Sequence, residues 1–226
     1  MQRYNMFNQV HKGLRALLYE TALEIQHTEF WNIDQATETI ARIREVIALF
    51  DKHAYSEDNL VFPAVEKYEP SVADAFAQEH VRDHELGEQL DEAIARYERA
   101  SVITAKADAG RAIHSAFVDF MVFNLEHMAK EESVLNAILW RYYSDDELVG
   151  ITHRIVSSIS PDQMAAYSKW MLRGLNTCEI IQWLSEVEKN APDFVFKGLF
   201  DAAECELSPR RFREVAEALS QGAMRA

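Results

Sequence analysis

Residues 53–63 read HAYSEDNLVFP, and the first five letters place a histidine and a glutamate four residues apart. Residues four apart lie on the same face of an α-helix, so His53 and Glu57 can reach a common metal ion. Two further stretches repeat this spacing, HVRDH at residues 80–84 and HMAKE at residues 127–131. The candidate metal ligands, including an earlier histidine in HKGLR, are His11, His53, Glu57, His80, His84, His127 and Glu131.

The composition favours an all-α fold. The chain has 226 residues, of which 48% are hydrophobic, enough to fill a core. It contains only 7 glycines and 5 prolines, so few turn or strand signals interrupt the good helix formers. Apolar residues recur mostly at spacings of three and four along residues 8–30, 34–62, 70–100 and 107–143. Four such helices with short connections predict an up-down-up-down four-helix bundle.

Local signals indicate where these helices begin and end. Asp34 is placed as the N-cap of the second helix, Pro63 is expected to end or kink it, and Pro70 opens the third. We predict a metal-binding bundle over residues 1–143 and a C-terminal helical extension of unknown role over residues 144–226. The helices predicted in the extension cover residues 148–158, 162–175, 177–189 and 208–219.

Net charge and cysteine content limit the expected partners and location. The formal net charge of −14 repels nucleic acid and anionic lipid surfaces, so neither is expected as a partner. No stretch is long and apolar enough to span a membrane, and the opening residues have no apolar signal-like segment, so a cytoplasmic protein is expected. Cys178 and Cys205 are expected to be buried free thiols.

The distances of the candidate ligands from the expected turns place them at one level of the bundle. Antiparallel neighbours bring together residues that are equally far from the turn joining them. His11 and His53 lie 21 residues before and after Asn32. When residues are counted in the same way from the next two connections, the remaining candidates lie within about one and a half helical turns of that level. The histidines outside this layer are His27, His114 and His153.

The ligand types favour two hard metal ions. Imidazoles mixed with carboxylates and without thiolates suit iron or manganese, with zinc as a substitute. Two octahedral ions offer about twelve positions, of which five imidazoles, two bridging carboxylates and one oxo or hydroxo bridge fill about eleven. About one position is then open, which is what a small diatomic ligand requires.

These motifs resemble those of the hemerythrin-like, HHE cation-binding family over about 60% of the chain. HKGLR, HAYSE with the following LVFP, HVRDH and HMAKE each match the pattern of one family helix. The resemblance implies a non-heme centre of two Fe ions, with the five histidines as terminal ligands and with Glu57 and a fourth-helix carboxylate as bridges. Glu131 lies about 40° from His127 around the helix and Glu132 about 140°, so Glu131 is the bridge that we choose.

Three functions remain compatible with the sequence. The leading hypothesis is a di-iron protein that binds dioxygen or nitric oxide for sensing, storage or scavenging. The second is an enzyme of oxidative or nitrosative stress defence, which turns over peroxide or nitric oxide or donates iron for repair. The third is a structural or regulatory helical module in which metal holds the bundle together. In that case the C-terminal segment contacts a second copy of the chain or another protein.

Overall fold

The computed structural model describes residues 3–223, which are mostly helical and contain no β-strand. The helical elements are α1 (Asn8–His27), α2 (Ile33–Ser56), π1 (Glu57–Val61), α3 (Phe62–Glu66), α4 (Pro70–Arg99), α5 (Ile103–Lys130), π2 (Glu131–Leu135), α6 (Asn136–Tyr142), α7 (Asp145–Ser158), α8 (Pro161–Gly174), α9 (Thr177–Asn190), α10 (Asp193–Glu206) and α11 (Pro209–Ala223). The predicted all-α fold is confirmed.

The helical bundle is built from α1, the α2–π1–α3 segment, α4 and the α5–π2–α6 segment. Only residues 28–32, 67–69 and 100–102 connect them, and connections this short make consecutive helices antiparallel. Edge-to-face packing of Phe50 against Phe120, with ring centroids 5.4 Å apart, is one of the contacts that fill the core.

Asn32, and not the predicted Asp34, is the N-cap of α2. Its side-chain oxygen accepts hydrogen bonds from the backbone N–H groups of Asp34 and Gln35, at 3.1 and 3.4 Å. An N-cap oxygen satisfies the free N–H groups of the first turn. Asp34 is already inside that turn, where its negative charge is favourable next to the positive end of the helix dipole.

Pro63 does not end the second helix, because the chain passes through the five-residue π-helical segment π1 and continues as α3. Phe62 N–H donates to the carbonyl of Glu57, five residues earlier. Pro63 then occupies the first turn of α3, where a missing N–H costs little. The second π segment, π2, contains no proline and closes in the same way, with Asn136 N–H donating to Glu131.

The chain divides into two compact units. One comprises Met1–Asn8 and Leu17–Ile159, and the other comprises Gln9–Ala16 and Ser160–Ala226, so α1 contributes residues to both. The predicted domain boundary at residue 143 stays a prediction.

Short capped helices form most of the second unit. The side chains of Ser160 and Asn176 each accept a hydrogen bond from the backbone N–H three residues later. The side chain of that later residue accepts a hydrogen bond from the backbone N–H of Ser160 or Asn176, so α8 and α9 begin with capping boxes. Helix α10 was not predicted from the sequence, although Leu199 and Ala203 have the helical spacing and are buried. The apolar core of this unit consists of Leu172, Leu175, Ile180, Leu184, Leu199, Ala203, Leu207, Val215 and Leu219.

Both cysteines are free thiols on the surface, so their predicted burial is wrong. On α9 the buried positions include Ile180 and Leu184, and Cys178 lies two residues before the first of them. On α10 Cys205 lies two residues after the buried Ala203. A displacement of two residues rotates a side chain by about 200°, onto the opposite face of a helix.

Candidate metal centre

Two π-helical segments begin at the two glutamates of the predicted site. Glu57 is the first residue of π1 and Glu131 is the first residue of π2. In both cases a histidine lies four residues earlier, in the last turn of the preceding α-helix. The two carboxylates are almost completely buried, with 3% and 0% of the residue exposed. Single π turns inside α-helices are frequent at functional sites.

Two overlapping groups of buried side chains bring six of the seven predicted ligands together. Within each group, one potential ligand atom per residue lies within 4.8 Å of all the others. The first group is His11, His53, Glu57 and Glu131. The second group is Glu57, His80, His127 and Glu131. Each group therefore has two histidines of its own and shares both glutamates with the other.

The two oxygens of Glu57 point towards different histidines. Oε1 lies 3.2 Å from Nε2 of His53, in the first group, and Oε2 lies 3.5 Å from Nε2 of His80, in the second. Glu131 Oε1 lies 3.1 Å from Nε2 of His127. A carboxylate that directs one oxygen to each of two groups has the geometry of a bridging ligand.

Carboxylates outside the cluster orient the imidazoles of the second group. His80 Nδ1 lies 2.7 Å from Asp58 Oδ1, and His127 Nδ1 lies 2.8 Å from Glu79 Oε2. The other oxygen of Glu79, Oε1, accepts a hydrogen bond from Lys130 Nζ. When each Nδ1–H donates to its carboxylate, each neutral ring presents the lone pair of Nε2 to the cluster. The two Nε2 atoms are 3.1 Å apart, so a cation between these atoms and the glutamates would relieve the repulsion of their lone pairs.

The pKa values of these two histidines are raised. Burial by itself lowers the pKa of His80, but hydrogen bonds to Asp58 and Glu57 and the charges of those carboxylates outweigh it and raise the pKa from 6.5 to about 10. The pKa of His127 is raised in the same way, where hydrogen bonds to Glu131 and Glu79 outweigh burial. The carboxylates around both rings thus favour their protonated forms, and a cation that binds Nε2 competes with the proton there.

The metal-free chain should lose stability as the pH rises from about 6.5 to about 10. The folded-state pKa of His80 lies above the unfolded value, so its stabilising contribution is complete below about 6.5 and is lost as the pH passes about 10. We expect the thermal midpoint of chelator-treated protein to fall by about 5–10 °C over this range. His80→Gln should reduce the fall, and a wild-type midpoint that is constant or rises would contradict this prediction.

His84 belongs to neither group. Its side chain is 68% exposed, with Nδ1 3.8 Å from Asp51 Oδ1 and Nε2 3.5 Å from Glu88 Oε1. The buried polar residue after His80 on α4 is instead Asp83, which accepts a hydrogen bond of 2.6 Å from Asn124 Nδ2. Desolvation by burial raises the pKa of Asp83, although the Asn124 hydrogen bond opposes it.

The periodicity of α4 explains why His84 is exposed. The buried positions of this helix form one stripe in which residues recur at spacings of three and four. They are Ala73, Phe76, His80, Asp83, Leu86, Gly87, Leu90, Ala93, Ile94 and Tyr97. The next buried residue after His80 is Asp83, three positions later, and not His84, four positions later. Asp83 lies seven residues after Phe76 and seven before Leu90, a helical spacing from which it could have been identified in the sequence.

Glu79, the hydrogen-bond partner of His127, was not identified from the sequence. Aromatic rings add an apolar wall: Phe62 stacks on His80 with centroids 4.9 Å apart, and Phe123 stacks on His127 at 5.9 Å. The three histidines expected to lie outside the layer belong to neither group and are exposed: His27, His114 and His153.

A helical bundle that buries two histidine–carboxylate groups with shared glutamates has the features of a metal-binding bundle protein. A family model described as the hemerythrin HHE cation binding domain matches residues 3–139, which is more than half of the chain. The chain belongs to this family. Comparison with curated proteins and with solved structures finds no significant match.

In the part of the chain that the structure describes, no helix is both long and apolar enough to cross a membrane.

Proposed function

We propose that the protein is a non-heme di-iron protein whose centre binds a small ligand, dioxygen or nitric oxide, for sensing, storage or scavenging. The observation that carries the proposal is the overlap of the two groups, which share Glu57 and Glu131 and keep two imidazoles each. One group of this kind suits one ion. Two groups with common carboxylates suit two ions joined by those carboxylates.

The donor set fits iron. Imidazoles and carboxylates without a thiolate suit iron, with manganese or zinc as substitutes. Without His84, four imidazoles and two bridging carboxylates supply about eight of about twelve octahedral positions. An oxo or hydroxo bridge would fill about two more, which leaves about one on each ion. The proposed ligands are His11, His53, Glu57, His80, His127 and Glu131.

The surrounding residues support ligand binding at such a centre. When bound, the ions supply Lewis acidity and one-electron redox chemistry. Phe62, Phe76 and Phe123 lie against the imidazoles of His80 and His127 and limit the access of water. Hydrogen bonds to Asp58 and Glu79 would hold the two rings, once neutral, in the tautomer that presents Nε2 to the cluster.

A cytoplasmic location is part of the proposal. Cys178 and Cys205 are both free and exposed, which is more common in reducing compartments than in oxidising ones.

Metal analysis of anaerobically purified protein tests the proposal. We expect about two irons per chain, because each group holds one ion. Addition of O₂ or NO to the reduced protein should then give an absorption change that reverses when the gas is removed. Rapid conversion to the oxidised state with release of product would favour the enzyme hypothesis instead. A folded protein that binds no metal would refute both.

A further inference from the structure

A surface pocket of about 710 Å³ lies between the α2–π1–α3 segment and α4. Acidic side chains dominate its polar lining, and none of the described residues that line it is lysine or arginine. A concave surface with an excess of one sign of charge concentrates ions of the opposite sign. The acidic lining residues are Asp51, Asp58, Glu66, Asp74 and Asp83.

His80 connects this pocket with the metal cluster. It lines the pocket although only 8% of the residue is exposed. Its Nδ1 contacts Asp58, a half-exposed residue that also lines the pocket. On the other side of the same ring, Nε2 lies 3.1 Å from His127 Nε2 and 3.5 Å from Glu57 Oε2. The imidazole of His80 therefore contacts both the acidic pocket and the buried candidate ligands.

We propose that this acidic pocket is the route by which a divalent cation enters and leaves the buried centre, with His80 and Asp58 at its inner end. The inference rests on the proposed metal binding and adds how the site is loaded. Glu57 and Glu131 are 3% and 0% exposed, so an ion must pass between side chains to reach them. Along this route carboxylate oxygens can replace the waters that the ion loses.

A route can be distinguished from a ligand by blocking it. Obstruction raises the barrier for entry and exit by the same amount, so both rates fall and the equilibrium affinity does not change. A damaged ligand set instead weakens the affinity. Ala54 and Ala77 line opposite walls of the pocket, and Ala75 on the same helix as Ala77 is exposed and outside it. Ala54→Phe and Ala77→Phe are therefore two independent blocks, and Ala75→Phe is the matched control.

The measurement uses Co²⁺ alone as the probe, with uptake followed by stopped-flow absorbance and release followed after addition of excess chelator. We expect each blocking variant to slow uptake and release by about tenfold, with the dissociation constant within about twofold of wild type, a shift under about 0.5 kcal/mol. Ala75→Phe should match wild type. Blocking variants as fast as the control would overturn the route, as would a weaker affinity without slower release.

Charge provides a second test that does not change the shape of the pocket strongly. Asp51→Asn with Asp74→Asn should slow Co²⁺ uptake by about fivefold at low ionic strength, and the difference should shrink in high salt. Glu38→Gln with Asp119→Asn removes the same charge from exposed sites outside the pocket and should have little effect. Equal effects of the two pairs would overturn the route. A wild-type protein that binds no Co²⁺ or iron would instead refute the proposed function.

Discussion

Replacing Glu131 with Gln should reduce the metal content of the purified chain from about two ions to less than one. Glu131 is 0% exposed and belongs to both candidate ligand groups, so one substitution removes a donor from both proposed metal positions. Glutamine is neutral and has only one carboxamide oxygen, so it cannot bridge as a carboxylate does. Loss of an outer partner of a ligand typically weakens metal binding by about 10–100-fold, and loss of a shared ligand should cost more than about 100-fold.

Glu132→Gln is the matched control for this experiment. Glu132 is the adjacent acid and belongs to neither group. The Glu132→Gln variant should therefore retain about two ions per chain. Glu57→Gln should behave like Glu131→Gln, because Glu57 is the other shared carboxylate. Metal analysis together with circular dichroism separates metal loss from unfolding. If Glu132→Gln loses its metal and Glu131→Gln retains it, the bridging carboxylate is Glu132 and our assignment to Glu131 is wrong.

Replacing Gly174 with Ala should lower the free energy of unfolding by about 3 kcal/mol. A Cβ built at Gly174 would lie 2.2 Å from the backbone oxygen of Lys12 and 3.0 Å from the backbone nitrogen of Gly13. At Gly13 an added Cβ would approach the backbone nitrogen of Met171 to 2.9 Å. Backbone atoms cannot rotate aside as a side chain can, so the helices would have to separate. This separation would weaken the ion pair between Lys12 and Glu179, whose atoms are 2.5 Å apart.

Gly198→Ala is the control for this substitution. Gly198 lies inside α10 of the same unit, and a Cβ there would meet nothing within 4 Å. Alanine is the better helix former by about 1 kcal/mol, so this variant should be slightly more stable than wild type. Thermal and urea unfolding followed by tryptophan fluorescence will measure both changes. Equal midpoints for the two variants would show that the close backbone contact does not limit stability.

Spacing along single helices predicted most of the candidate site. The His53–Glu57 and His127–Glu131 pairs depend only on residues four apart, which share a helix face in any α-helical fold. The same rule led to His84, which the structure places on the surface. A spacing of four residues identifies the buried face of a helix only approximately. The spacings of three and four between the buried residues of α4 identify that face better.

The two π segments could not be predicted from the sequence. Pro63 follows π1, but no proline lies in or just after π2, so proline is not their common cause. Their common feature is a buried glutamate at the first residue, close to histidines of other helices. A π turn is unfavourable by itself and is retained where tertiary contacts compensate for it. Those contacts involve residues distant in sequence, which local propensity does not contain.

The sequence by itself determined the helical class and the spacing of the candidate ligand pairs, because helix periodicity relates residues only a few positions apart. It also determined the family, which the match over residues 3–139 shows. Only the tertiary structure decided which carboxylates hold the imidazoles, since Asp58 reaches His80 across 22 residues and Glu79 reaches His127 across 48. It also placed His84 outside and Asp83 inside. Such contacts depend on how the helix faces pack together, and the packing of the whole core determines that.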